Sequence, residues 1–193
     1  MSIYTRTGDT GSTSLFGGKR VLKCHDLVDV YGSLDELNSW IGYISSVINV
    51  ADVSEFLSTV QSDLFTIGGY LAGWRTVDIG FLTSRATAME AKIDAFDKEL
   101  NPLNNFILPG GTELSSRIHI ARSICRRVER QIVGLKAKDI PEIKDMPAAD
   151  FTHIVTYINR FSDLLFTLAR FINKQEGVVE VIWSGIDRAA KKK

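Results

Sequence analysis

Cysteine, histidine and proline are all scarce in this chain, and it carries no net charge. Its 193 residues hold two cysteines, Cys24 and Cys125, three histidines, His25, His119 and His153, and four prolines. Two distant cysteines make no disulfide framework, and their spacing fits no metal site; no protein-built metal centre is expected. Lys plus Arg number 23 and Asp plus Glu 23, which excludes a bulk electrostatic pull toward nucleic acid or a membrane surface. No window reaches the roughly 18 uninterrupted apolar residues of a membrane-spanning helix. Met1 to Arg6 lacks the apolar run of a secretory leader. Strand-like alternation, internal repeats and low-complexity stretches are missing too, as is any convincing Ser/His/Asp or Cys/His constellation for nucleophilic catalysis. The expectation is a soluble, cytoplasmic protein that binds neither nucleic acid nor membrane.

What is present is an apolar content of 45%, enough for one large core, with roughly 70% of the unfolded chain's surface buried on folding. A single domain over residues 1–193 is expected: an arm (1–25), a helical body (26–176) and a tail (177–193). In the body, Leu27, Val30, Tyr31, Leu34, Leu37, Ile41, Ile44 and Ile48 recur at steps of three and four. Phe56, Leu57, Val60, Leu64, Ile67 and Leu71 continue the pattern behind a start at Asp52 or Ser54. Thr83 or Ser84 is the expected cap of a third, more polar helix running to about Leu100. "NPLNNFILPGGT" is a loop, and Thr112 the expected N-cap of a fourth helix ending near Gly134 to Lys136. "KAKDIPEIKDMP" reads as a linker. A fifth helix spans about Ala148 to Gln175, and "GVVEVIWSG" reads as extended. The expected fold is all-α, a five-helix antiparallel bundle behind a Gly-rich arm. Val28, Trp40, Tyr43 and Val47 form a second apolar side on the first helix. They mark either a central helix or a subunit interface.

The arm "TRTGDTGSTSLFGGKR" (Thr5 to Arg20) packs four glycines, six hydroxyls, one acid and three basic groups into sixteen residues. It is no Walker A loop: Arg20 replaces the hydroxyl after Lys19, Thr13 stands where the first glycine belongs, and no βαβ pattern surrounds it. The ingredients still suit polyphosphate. Glycines admit backbone N–H groups to anion oxygens, hydroxyls add donors, and Arg6, Lys19, Arg20 and Lys23 add charge. The segment reads equally as a flexible Gly/Ser-rich tail.

In the fourth helix, "TELSSRIHIARSICRRVERQIV", a seam of Leu114, Ile118, Ala121, Cys125, Val128 and Ile132 makes Cys125 a small buried hydrophobe. With Ile118 at zero, Glu129 falls at about 20°, Arg122 at about 40° and Arg126 at about 80°, flanking that seam. Arg127 and Arg130 fall on the solvent side. Charges beside a seam lose water and need partners: either an ion-pair network between helices, or an anion site with arginine forks for phosphate. Asp35 borders the first helix's stripe. Asn159, Asp163, Phe166 and Arg170 lie on the fifth helix away from its main stripe, as on a solvated face. His119 and His25 read as surface or core-edge groups. Phe106, in the Pro/Gly loop, reads as an anchor pinned into the core.

Taken in order, "TRTGDTGST", "VDVYGSLDELNSWIG", "FILPGGTELSSRIHIARSICRRVER" and "YINRFSDLLFTLAR" resemble the PduO-type ATP:cob(I)alamin adenosyltransferases. The likeness runs from Thr5 to Trp183. It implies a homotrimer of five-helix bundles with active sites between subunits. It also implies transfer of the 5′-deoxyadenosyl group of ATP, as the Mg²⁺ complex, to the cobalt of cob(I)alamin, with release of triphosphate. By that likeness, Thr5, Arg6, Thr7, Gly8, Asp9, Gly11 and Thr13 wrap ATP and Lys23 binds its phosphates, although Cys24, His25 and Asp26 depart from the acidic pair that follows this lysine in the family. Arg122, Arg126, Arg127 and Glu129 carry the basic motif, with Arg122 paired to Asp35 across the subunit boundary. Asn159 contacts the nucleotide, and Phe106 lies beside the corrinoid's lower face. A reductase and a B12-dependent acceptor enzyme are the implied further partners. The competing readings are an ATP-dependent phosphotransferase and a non-catalytic ATP sensor.

Overall fold

The computed structural model describes residues 4–184; the end of the expected tail, 185–193, lies outside the described residues. Two strands and six helices follow in order: β1 (Ser12–Ser14), β2 (Arg20–Leu22), α1 (Asp26–Val47), α2 (Ala51–Leu71), α3 (Leu82–Glu99), α4 (Glu113–Ala137), α5 (Pro141–Lys144) and α6 (Ala148–Gln175). The five long helices lie where the periodicity puts them. The sixth, α5, is a single turn within the expected linker. Pro141 presets its first φ, and Ile143 is buried beneath it.

The ends of the long helices follow from their caps. His25 is extended and its Nδ1 accepts from the Leu27 N–H at 3.2 Å, with Asp26 and Asp29 in the positive first turn of α1. Thr112 accepts from the Ser115 N–H at 3.1 Å and starts α4, as expected. Two starts differ from expectation. α2 begins at Ala51 rather than at a capping Asp52 or Ser54; the Ser54 hydroxyl instead meets that of Ser45 on α1 at 3.1 Å. α3 begins at Leu82, ahead of Thr83 and Ser84, with no side-chain cap. There, buried Ile79 and Leu82 fix the entry, and Ser84 turns its hydroxyl back to the Phe81 carbonyl.

Packing runs α2–α1–α4–α6–α3, each helix against the next. The core is a continuous column of Leu37, Ile41, Leu57, Leu64, Ile118, Cys125, Val128, Phe161, Leu165 and Leu168, among others. Each such side chain contributes about 1.5–3 kcal/mol by leaving water. Cys125 is buried, as the seam requires, and its thiol is pushed up beyond the range where a thiolate forms. A polar tie crosses the bundle. Tyr157 of α6 donates to Asp63 of α2 at 3.0 Å, and Arg85 of α3 reaches the same carboxylate at 3.3 Å. The second apolar side of α1 is not used up inside the chain: Tyr43 is 43% and Val47 37% exposed.

Candidate functional site

The arm contains the strands that periodicity did not announce. β1 and β2 pair antiparallel, Ser12 opposite Leu22 and Ser14 opposite Arg20. The turn between them needs Gly17 and Gly18, both in the left-handed region at φ 84° and 88°. The arm is tied to the bundle rather than trailing as a tail. Leu15 is buried, the Phe16 N–H donates to the Ala72 carbonyl at 3.1 Å, and Lys19 meets Glu142 of α5 at 2.5 Å.

Within the arm, Arg20 gathers the chain about itself, donating to the Thr7 carbonyl at 2.7 Å and to the hydroxyls of Ser12 and Ser14. The Thr5 and Thr7 hydroxyls lie 2.8 Å apart. The Gly11 N–H closes a turn onto the Gly8 carbonyl at 3.1 Å, and the Lys23 N–H donates to the Gly11 carbonyl at 2.9 Å. The Lys23 ammonium passes over Gly8 so closely that a Cβ there would sit 3.3 Å from it. Thr5, Thr7, Gly8, Gly11 and Lys23 thus share one small cationic turn. Arg6 stands in the left-handed region at φ 58° beside it, and Arg6 and Asp9 are exposed. Lys19 is turned away toward α5, which leaves Lys23 as the lysine of this turn. Thr13 faces α1, where burial raises the Tyr31 phenol pKa and a hydrogen bond with Thr13 partly offsets it.

Between the hairpin, α1 and α2 lies a cleft of about 730 Å³, walled by Leu15, Phe16, Tyr31, Asp35, Asn38 and Trp74 among others. Asp35 is exposed on its rim and makes no ion pair among the described residues. Its neighbour Glu36 looks the other way and takes Arg127 of α4.

A second polar group lies in the groove between α4 and α6. Arg122 and Glu129 are half-buried, and Arg126 is exposed beside them. The Asn159 amide donates to Glu129 at 2.9 Å. The Arg122 guanidinium lies 5.9 Å from the Phe166 ring centre, and its Nε is buried without a partner. Burial, and then Arg126, lowers the Arg122 pKa. Arg126 makes no ion pair among the described residues. The interhelical ion-pair network allowed by the pattern is therefore not what α4 and α6 build here. Two expectations are corrected at this groove. Of the surface and core-edge readings of His119 the surface one fails: it is 4% exposed, and both of its ring nitrogens lack partners. Burial, and then Arg122, lowers its pKa to about 4. Arg170 is not on a solvated face but 5% exposed and paired with Glu180 at 2.8 Å. Arg127, off the seam as its place on the wheel requires, meets Glu36 of α1.

Phe106 supplies the third correction. It is not pinned into the core but 77% exposed, its ring meeting Trp183 edge-on at a centroid distance of 6.2 Å. Leu103, Leu108, Ile182 and Trp183 are exposed around it, so the loop and tail offer one apolar surface. A Phe that projects outward from a loop held at both ends is placed to touch something other than its own core. Among the described residues no hydrogen bond or ion pair joins the arm to Arg122, Arg126, Glu129 or Asn159. The arm turn and the α4–α6 groove are thus separate polar groups among the described residues.

A family model described as cobalamin adenosyltransferase matches residues 3–172. The chain belongs to that family. Among its relatives, a corrinoid adenosyltransferase of Bacillus subtilis is 39% identical over 187 residues, covering 94% of this chain and 91% of the relative. A human corrinoid adenosyltransferase is 35% identical over 198 residues, covering 98% and 76%. A variant PduO-type ATP:corrinoid adenosyltransferase of Lactobacillus reuteri, solved in complex with cobalamin and ATP, superposes with a TM-score of 0.84 at 35% identity, covering 95% of this chain and all of that one. Periodicity missed the partners of Arg170 and Asn173, which come from the loop and the tail, and the role of Glu180, the tail carboxylate that meets Arg170. No helix among the described residues is long and apolar enough to cross a membrane.

Proposed function

We propose that this chain is an ATP:corrinoid adenosyltransferase, working as a cytoplasmic homotrimer of five-helix bundles with each active site shared by two subunits. Cobalt is a substrate here. The lone pair on Co(I) attacks C5′ of ATP, the Co–C bond forms, and the C5′–O bond breaks with its electrons leaving on triphosphate. The observation that carries the reading is the separation of the half-sites. The arm turn of Thr5, Thr7, Gly8, Gly11 and Lys23 gathers hydroxyls and an ammonium in one small space. The α4–α6 groove has a buried, unpartnered Arg122 Nε and a free Arg126.

In this reading the arm, with Arg6, Asp9 and Thr13 completing it, folds over the phosphates. Arg126 and Asn159 of an adjacent subunit grip the nucleotide from the other side, and docking of that subunit brings Arg127 to the same junction. Asp35 of the partner subunit supplies the missing counter-charge to Arg122. The donors lie where negative charge grows on the leaving oxygens, the arrangement that lowers a barrier most. Holding C5′ above cobalt contributes several kcal/mol more, about 7 or above in well-oriented systems. Mg²⁺ would arrive on the triphosphate, and Glu129 would help hold it. Phe106 presses on the corrinoid's lower face, displaces the axial ligand and eases reduction of Co(II) to Co(I). A reductase supplies that electron, and a B12-dependent enzyme takes the product.

The test mixes protein, Mg-ATP and chemically reduced cobalamin. The expected result is the light-sensitive spectrum of adenosylcobalamin with one triphosphate released per turnover. ADP as product refutes the reading in favour of a phosphotransferase. ATP bound but not consumed makes the chain a sensor.

A further inference from the structure

The loop that carries Phe106 is gripped at both ends by the last turns of α6. At its start, the Arg170 guanidinium donates to the Asn101 carbonyl at 2.9 Å and the Lys174 ammonium to the Glu99 carbonyl. At its end, Asn173 donates to the Gly110 carbonyl at 2.9 Å and accepts from the Thr112 N–H at 2.9 Å. The fit at that end is tight: Gly111 has φ 117°, and a Cβ there would sit 2.1 Å from the Asn173 Oδ1. The middle of the loop is held by the tail. The Leu108 N–H donates to the Val181 carbonyl at 2.8 Å, the Trp183 N–H donates to the Phe106 carbonyl at 2.7 Å, and Ile107 bridges Ile182. The tail is in turn anchored by the Val178 N–H, which donates to the Asn173 carbonyl at 2.8 Å, and by Glu180, whose two oxygens lie 2.8 and 3.3 Å from Arg170.

One buried arginine therefore touches the loop and the tail together. A guanidinium with 5% exposure is costly unless its fork is filled. Here the fork is filled by one carbonyl from the loop and one carboxylate from the tail. Neither is needed to close the helical core, because α6 ends at Gln175 and the tail residues Val179, Val181, Ile182 and Trp183 are exposed. We infer that Arg170, acting through Glu180 and Asn101, is a positioning residue that fixes Phe106 and Trp183 as one rigid aromatic wedge. The inference deepens the proposed function and rests on Phe106 meeting the corrinoid. Arg170 touches no substrate; it sets the height and tilt of the ring that does. When the ion pair is broken, the strap 178–183 is left to its backbone bonds alone, which open more often, and the Phe106 ring loses its fixed height and edge contact.

The test compares the parent with Glu180→Ala and Glu180→Gln, which change the exposed strap rather than the buried helix. In the alanine variant, hydrogen exchange at the Leu108 and Trp183 amides accelerates about tenfold or more, as expected for loss of a charge-assisted bond. Adenosyl transfer starting from cob(II)alamin and a reductant falls about tenfold. Transfer from chemically supplied cob(I)alamin, and the KM for ATP, stay within about twofold of the parent. The glutamine variant, which keeps an acceptor oxygen, falls between. Unchanged exchange at both amides overturns the inference. So does faster exchange with both transfer rates unchanged, or an equal loss from both cobalt states. A parent that makes no adenosylcobalamin refutes the proposed function instead, and the exchange comparison then still decides whether Glu180 holds the loop.

Discussion

Replacing Phe106 by alanine removes a ring that the fold scarcely needs. A phenylalanine offers about 150–250 Å², and with 77% of Phe106 exposed roughly 150 Å² is free to pack on a ligand. At ~25 cal/mol per Å² that surface is worth at most about 4 kcal/mol, and about half of it is expected to meet a flat corrinoid face. Losing about 2 kcal/mol in the step that strips the lower axial ligand slows turnover about thirtyfold. The loss is confined to reactions that begin with cob(II)alamin, since cob(I)alamin needs no such stripping. Folding is hardly touched: the edge contact with Trp183 contributes about 0.5–1 kcal/mol, so the unfolding free energy falls by no more than that. The assay runs both cobalt states side by side, following the adenosylcobalamin spectrum, with urea unfolding as the control. A loss of equal size from both states refutes the wedge reasoning, as does full activity from cob(II)alamin.

Two further predictions concern the frame of the site. Gly111→Ala places a Cβ on the Asn173 amide in a left-handed backbone position; it is expected to cost about 2–4 kcal/mol in denaturant unfolding, and a loss under about 0.5 kcal/mol contradicts the described loop. His119 has its pKa lowered to about 4 by burial and then by Arg122. The folded state therefore prefers the neutral ring, and its stability is intact above the ordinary value near 6.5 but falls as pH drops toward 4, by up to about 3 kcal/mol. His119→Leu removes that decline, read as the difference between variant and parent unfolding at pH 7 and pH 4.5. Asp63, whose carboxyl pKa is raised mainly by burial, shifts both proteins alike and cancels.

Local pattern carried the helices, because spacing and caps act within a few residues. The α4 seam, its Thr112 cap and the burial of Cys125 are all set by neighbours one to four positions away. What stayed hidden depends on partners far along the chain. Nothing near Lys19 announces Glu142, and nothing in the fifth helix's pattern tells that Arg170 is covered by a tail folding back on it. A helical wheel gives the direction of a side chain but not the segment that meets it, which is why Arg170 read as solvated and His119 as either surface or core-edge. Phe106 went the other way: an aromatic between prolines and glycines reads as an anchor, but Arg170 and Asn173 do the anchoring and leave the ring free. The arm's hairpin is three residues per strand, too short for alternation to register.

The separation of the two half-sites is tested most directly by mixing subunits. Lys23→Ala disables the arm and Arg126→Ala disables the groove, so each variant alone is expected to be nearly inactive. Unfolded together at equal amounts and refolded, three-quarters of the proposed trimers are mixed, and each mixed trimer has one junction with an intact arm facing an intact groove. The account predicts recovery of about a quarter of wild-type adenosyl transfer. No recovery, with mixed trimers verified by mass, contradicts it and places the arm and the groove of a single subunit in the same site.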